Sequence, residues 1–337
     1  MKFDKINEQN LHLLLFRFIG KKNMKKVLII STGILSAYLS KFLLKKNYKV
    51  YVTSRILKKK YKNFDKLRIQ KKIIFKKLDV KKLLSIKKLI KDIQPSIIFY
   101  FAGQSSVTKS LNLRKETYDS NYIGCKNFLT ILKKDQLDIK FLKANSGYIF
   151  SFKKKFNFLK PVFSKNKNPY INAQKKAFNT INDFRKKGVA CYNIIFFQVE
   201  SNMRPNNFFL KKICIYLKKN LFKKKKLNVG NLELVRDFGW APELVKGAYY
   251  MSYLKPCNLI IASGKKYSLK KYLDIAFKIK KLNYKKFIKI DKNLFRKNEE
   301  INVFPNLGST IKILKSFKWK PKVHGKKLIY NIYKNLY

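Results

Sequence analysis

Short apolar runs recur along this chain with helical patterns between them, and that alternation constrains the fold more than any other feature. Residues 27–31, 48–53, 72–78, 97–101, 139–144 and 190–197 read as strands. Between them, 34–46, 83–93, 118–134 and 170–187 carry apolar residues at helical spacing. Strands joined through a helix run parallel, and a sheet with helices on both faces buries the strands completely. The expected fold is therefore α/β, a Rossmann-like doubly wound parallel sheet. Past residue 200 the order loosens into helices over 208–219, 241–254 and 268–280 with short strands between them. That pattern predicts a smaller, mixed α/β C-terminal lobe. The expected boundaries are 24–200 for the first lobe, with parts of 232–262 returning to it, and 201–337 mainly for the second.

Residues 1–23 read as a leader, because Lys25-Lys26-Val27-Leu28-Ile29-Ile30 directly after Met24 is a first-strand pattern. The stretch 11–16 resembles a signal h-region, but Arg17 interrupts it and no small-residue cleavage site follows. Met1 and Met24 both stand as candidate starts. No apolar run approaches the roughly 20 residues of a membrane-spanning helix, so no membrane partner is expected. Cys125, Cys191, Cys214 and Cys257 form no C-x-x-C pair, which argues against a disulfide or zinc framework and for a reducing, cytoplasmic setting. Histidine occurs only at His12 and His324, so a Ser-His-Asp triad or a histidine-ligated metal in the core is excluded, and no metal site is expected. The formal net charge of +61 comes from lysines spread along both halves, including 58–60 and 223–226. A spread of that kind predicts salt-sensitive sticking to polyanions and no specific nucleic-acid partner.

The first strand-to-helix turn, Ile30-Ser31-Thr32-Gly33-Ile34-Leu35-Ser36, stands where a dinucleotide fingerprint carries glycines. Only Gly33 remains, with Thr32 beside it. Arg55 follows the second strand, where a cation can meet a 2′-phosphate. Asp79 follows the third, where a carboxylate can accept from an adenine amine. Ala102 and Gly103 end the fourth with side chains small enough for close approach to a ribose. Their order along the sheet is that of a dinucleotide site, with NADP(H) the expected cofactor and NAD the alternative.

Further on, Asn168-Pro169-Tyr170-Ile171-Asn172-Ala173-Gln174 reads as the start of a helix bearing a catalytic tyrosine. With Ala102-Gly103-Gln104-Ser105-Ser106-Val107, Glu200-Ser201-Asn202-Met203-Arg204-Pro205 and the long stretch from Val229 to Glu243, this motif resembles a known family. The chain is similar from Met24 to Trp319 to the extended short-chain dehydrogenase/reductases, and within them to the GDP-mannose 4,6-dehydratase family. Ile260-Ile261-Ala262-Ser263-Gly264 and Trp319-Lys320-Pro321 match as well. The resemblance implies an N-terminal lobe for NADP and a C-terminal lobe for a GDP-sugar, in a homo-oligomer. It also implies a reaction: oxidation at C4 of the mannose, loss of water across C5 and C6, and return of the hydride at C6.

Carried over by position, the tyrosine is Tyr170 and its hydroxyl partner Ser146. The family's lysine, one turn after the tyrosine, is Gln174 here, and its glutamate base, two residues after the hydroxyl, is Tyr148. A histidine of the cofactor site falls on Val199, while the nearby arginine persists as Arg204. Arg236 and Arg296 match basic positions facing the diphosphate, and Glu200, Lys212 and Glu299 are further expected substrate contacts. Two readings follow: a GDP-mannose 4,6-dehydratase-like enzyme, or a catalytically silent relative that still binds NADP(H) or a nucleotide sugar. A different reaction on a nucleotide sugar, such as 4-keto reduction or epimerisation, also stays open.

Overall fold

In the computed structural model, residues 24–151, 161–220, 226–295, 299–305 and 307–336 are described. The strands, in chain order, are β1 (Lys26–Ile30), β2 (Lys49–Ser54), β3 (Ile74–Lys77), β4 (Ile97–Tyr100), β5 (Lys140–Ser146), β6 (Cys191–Phe196), β7 (Gln198–Glu200), β8 (Leu227–Val229), β9 (Val235–Trp240), β10 (Asn258–Ile261), β11 (Lys266–Ser268), β12 (Ile288–Ile290) and β13 (Asn302–Val303). Seven of them form one sheet in the order β10-β6-β5-β4-β1-β2-β3, and every neighbouring pair is parallel. The direction of winding reverses between β1 and β4, the place where such sheets bind ligands beyond their strand ends.

Period-two alternation decides which side chain meets which helix layer. Val27, Ile29, Val50, Val52, Phe99 and Leu142 point to one face and share a core with α1 (Ile34–Leu44). Leu28, Ile30, Ile98, Tyr100 and Phe141 point to the other, against α2 (Leu83–Ile93) and α3 (Gly124–Lys134). The long α4 (Pro169–Lys186) lies on this second side, with Ile181 in the same core. The helix expected over 118–134 is interrupted. A π-helical turn, Asp119–Ile123, precedes α3 and carries the buried Asn121. Two short helices, Val107–Asn112 and Arg114–Tyr118, were not legible in the apolar pattern.

Downstream, α5 (Phe209–Ile215) comes first, and α6 (Ala241–Met251) packs back on α1 in the first core. With α7 (Leu269–Lys278) and α8 (Gly325–Lys334), α5 encloses a separate core built on Leu210, Ile213, Leu273, Phe277, Leu328 and Ile332. Strand β9 lies between antiparallel β11 and parallel β13 and also pairs with β7, while β8 pairs with β12. Among the described residues, no helix is long and apolar enough to cross a membrane.

Candidate active site

The C-terminal ends of β1, β4, β5 and β6 open into a cleft of about 980 Å³, near the upper end of the usual 300–1,000 Å³ for cofactor sites. Tyr170 reaches it from the first turn of α4. Asn168 caps that helix, its Oδ1 accepting from the Ile171 amide at 2.9 Å, and Pro169 takes the position where a missing N–H costs nothing. Ser146 ends β5 and lies opposite. Burial pushes the Tyr170 phenol up; hydrogen bonding to Ser146 pulls it back, Tyr148 raises it, and Gln174 and the charge of Arg204 lower it. Ser146, Tyr148, Tyr170, Gln174 and Arg204 all line the cleft. The hydroxyl of Tyr148 accepts from the Gln198 amide.

Gln174 is buried and held at both ends. Its Nε2 donates to Asn121 Oδ1 at 2.8 Å, and its Oε1 accepts from Lys143 Nζ at 3.2 Å. Lys143 is fully buried on β5, over the ring of Tyr100, and donates also to the Ala144 carbonyl and to Asn145 Oδ1. Burial lowers its ammonium to about 8, with the nearby Cys125 thiol opposing the shift. It is therefore still mostly charged at neutral pH. Sequence reasoning missed Lys143 and Asn121. The available signal was a lysine two residues after Phe141, on the interior face of a central strand.

Toward β1, the first turn holds Ser31 at φ 132, a conformation that disfavours any side chain. Its Oγ accepts from the Gly33 amide at 3.0 Å. Helix α1 has no side-chain cap, and the buried hydroxyl of Ser36 in its first turn has no hydrogen-bond partner. Gly33, Ser36, Ala102 and Gly103 line the cleft; Thr32 does not, and its carbonyl accepts from Asn63. Gly103 is required for its backbone (φ 146) and because a Cβ there would lie 2.2 Å from Asn121 Oδ1. Arg55 is exposed and pairs with Glu116 at 3.0 Å, and Asp79 accepts from the Lys81 amide; neither is in the lining. Lys62 and Lys66 line the cleft near this end.

Around β7 and β9, two arginines are paired with carboxylates. Glu200 is buried outside the lining, 3.7 Å from Arg204 Nε, and its Oε2 has no hydrogen-bond partner. Burial raises it to about 7 despite Arg204, the Ser201 amide and Lys211. Arg204 packs on Phe208 with its guanidinium 3.5 Å from the ring centroid. Lys212 donates to the Asn228 carbonyl at 2.6 Å outside the lining, whereas Lys211 lines the cleft. Arg236 is buried and donates to the carbonyls of Val235 and Ile301 and, at 3.0 Å, to Glu299. Glu299 and Tyr148 line a small adjoining pocket of about 40 Å³. The leader 1–23, Arg296 and most of the 223–226 lysine run lie outside the described residues.

The profile of the GDP-mannose 4,6 dehydratase family matches residues 31–332. The chain belongs to the GDP-mannose 4,6-dehydratase family. Among curated members of that family, GDP-mannose 4,6 dehydratase 1 of Arabidopsis thaliana is 28% identical over 312 residues, covering 88% of this chain and 85% of that protein. The GDP-mannose 4,6-dehydratase of Vibrio cholerae is 27% identical over 75% of this chain and 71% of its own length. Solved structures of similar fold include UDP-glucuronic acid 4-epimerase from Bacillus cereus with UDP-glucuronic acid and NAD (TM-score 0.76, 15% identity, 92% of this chain and 98% of that one). Another is dTDP-glucose 4,6-dehydratase from Bacillus anthracis with NAD (TM-score 0.74, 15% identity, 92% and 96%). At that identity the two structures speak to the fold of this family member alone.

Proposed function

We propose that the protein is a nucleotide-sugar dehydratase that converts GDP-mannose to GDP-4-keto-6-deoxymannose with a nicotinamide cofactor. The observation that carries this reading is the Tyr170–Ser146 pair, buried together on the wall of a dinucleotide-sized cleft in a member of this family. The lining fits a dinucleotide: the uncapped α1 N-terminus and the unpartnered Ser36 hydroxyl supply donors for a pyrophosphate. Lys62 and Lys66 favour the additional phosphate of NADP over NAD. A nicotinamide dinucleotide held by these residues would supply the hydride acceptance that oxidation at C4 needs and the hydride return that reduction at C6 needs.

Tyr170, in its phenolate form, takes the proton of the 4-hydroxyl, and Ser146 holds the same oxygen while the carbonyl forms. The new ketone acidifies the C5 proton. Tyr148, standing where the family carries its glutamate, is the group at hand: as its phenolate it takes the C5 proton and then passes it to the departing C6 hydroxyl, so that water leaves and the phenolate is restored. A phenol is a poor substitute for a carboxylate there, so elimination is the expected slow step.

The test is incubation with GDP-mannose and NADP⁺, with mass spectrometry for the product lighter by one water. Slow dehydration is expected. The second reading, a silent relative, is favoured by Gln174 and Tyr148 standing at the lysine and glutamate positions. It prevails if both ligands raise the melting temperature and no product forms. If neither ligand stabilises the fold, both readings fall.

A further inference from the structure

We propose that the small pocket beside Tyr148 is a specificity subsite for the C6 arm of the hexose, where Glu300 accepts a hydrogen bond from a neutral C6 hydroxyl and excludes a C6 carboxylate. The inference rests on the proposed function for where the hexose lies. With C4 at Tyr170 and Ser146 and the C5 proton at Tyr148, C6 is the next atom along.

Position and size come first. Tyr148 and Val107 line both the cleft and the pocket, so the two cavities meet at these side chains. The pocket measures about 40 Å³. At roughly 10–15 Å³ for one water, it has room for a hydroxymethyl group and a water or two, and none for a second sugar ring.

The charges of the two cavities are opposite. Lys62, Lys66, Lys109, Arg204 and Lys211 line the cleft, and its described lining includes no aspartate or glutamate. Glu299 and Glu300 line the pocket, and its described lining includes no lysine or arginine. With 79 basic residues against 18 acidic ones, an even spread of charge would give the reverse. The cationic cleft suits phosphates, whereas the pocket suits hydrogen-bond donors.

Within the pocket the two carboxylates differ. Glu299 is committed to Arg236 at 3.0 Å. Glu300 accepts from Ser164 Oγ at 3.2 Å through Oε1, and among the described residues this is its one hydrogen bond. Ser164 is itself held in place, its Oγ accepting from the Asn166 amide at 3.2 Å. Lys175 donates to the Ser164 carbonyl from outside the lining. The open oxygen of Glu300 can therefore take a charge-assisted bond from a sugar hydroxyl. A carboxylate at C6 would lose that bond and meet a like charge, which supplies the repulsive half of specificity.

The experiment compares GDP-mannose with GDP-mannuronate, which differs only in carrying a carboxylate at C6. Calorimetric titration of the full chain without added cofactor gives both affinities with no turnover. The parent is expected to favour GDP-mannose by about 10-fold or more, the low end of what a like-charge contact costs. Glu300→Gln, which keeps the shape and removes the charge, is expected to bring the two affinities within about threefold, and Glu300→Lys to reverse their order. Melting curves establish that each variant folds, and titration with GDP, which lacks the hexose, checks the nucleotide end. Equal affinities in the parent would overturn the proposal, as would a preference that both variants leave unchanged. Either result with GDP-mannose bound sinks the subsite alone. Absence of binding by both GDP and GDP-mannose sinks the dehydratase reading and the subsite with it.

Discussion

Strand β5 and the β7–β9 region bury charge in opposite ways. At the β5–α4 wall, Lys143 is a cation among neutral acceptors, with an amide and a carbonyl as partners. Around β7 and β9, buried charge comes in opposed pairs, Glu200 with Arg204 and Arg236 with Glu299. A lone buried cation is costly but leaves its field free to act on neighbours, whereas a neutralised pair spends its field internally. The first arrangement suits a site that must bias a proton. The second suits a framework that holds shape, with the Arg236 guanidinium occupied by Glu299 and two carbonyls.

The comparison can be broken first at Tyr170. Tyr170→Phe is expected to lower turnover by about 10²- to 10⁴-fold, the usual worth of a positioned acid–base group, while GDP-mannose still raises the melting temperature. Unchanged product formation would put the reaction centre elsewhere.

Removing one charge on each side sharpens it further. Glu299→Ala strands the buried Arg236 guanidinium and is expected to cost about 3 kcal/mol in urea unfolding. Lys143→Met, in contrast, relieves a desolvation penalty. The shift from 10.5 to about 8 corresponds to about 3 kcal/mol, offset by the acceptors left behind, so its stability is expected to equal or exceed the parent's at pH 7. The sign follows from the depressed value: the folded state holds its proton less tightly, so the penalty is complete below pH 8 and fades between about 8 and 10.5. Equal losses from the two variants would erase the distinction between the two regions.

A smaller effect belongs to Glu200. Raised from 4.5 to about 7, it binds a proton more tightly in the folded state, so its contribution to stability falls as pH rises across that window. The parent should therefore lose about 2–3 kcal/mol relative to Glu200→Gln between pH 5 and pH 8, read from urea midpoints. A pH-independent difference would mean that Arg204 keeps Glu200 charged throughout.

The strands were legible because a parallel sheet buried on both faces writes itself as apolar runs, and β4 is buried at every position. Helix α4 was equally plain from its Asn-Pro start. The break at Asp119–Ile123 was not, because a single π-helical turn leaves the surrounding apolar spacing nearly intact. In the site, Tyr170, Ser146 and the odd residues Gln174 and Tyr148 were visible in sequence, and they share one cleft. Arg55 and Lys212 show the limit of reading by position: strand ends place a residue, but Glu116 and the Asn228 carbonyl decide where its side chain goes. Lys143 stayed hidden for a compositional reason. In a chain with 79 basic residues, one more lysine carries no signal until the sheet shows that it points inward.

The bond from the Gly33 amide to Ser31 Oγ gives the first turn a resting state that competes with its ligand. That amide is one of the donors an anion would use at the start of α1, and in this state it is satisfied from within. A pyrophosphate using this amide would have to displace the serine first, and its apparent affinity would fall in proportion to the fraction of molecules in which the serine has swung aside.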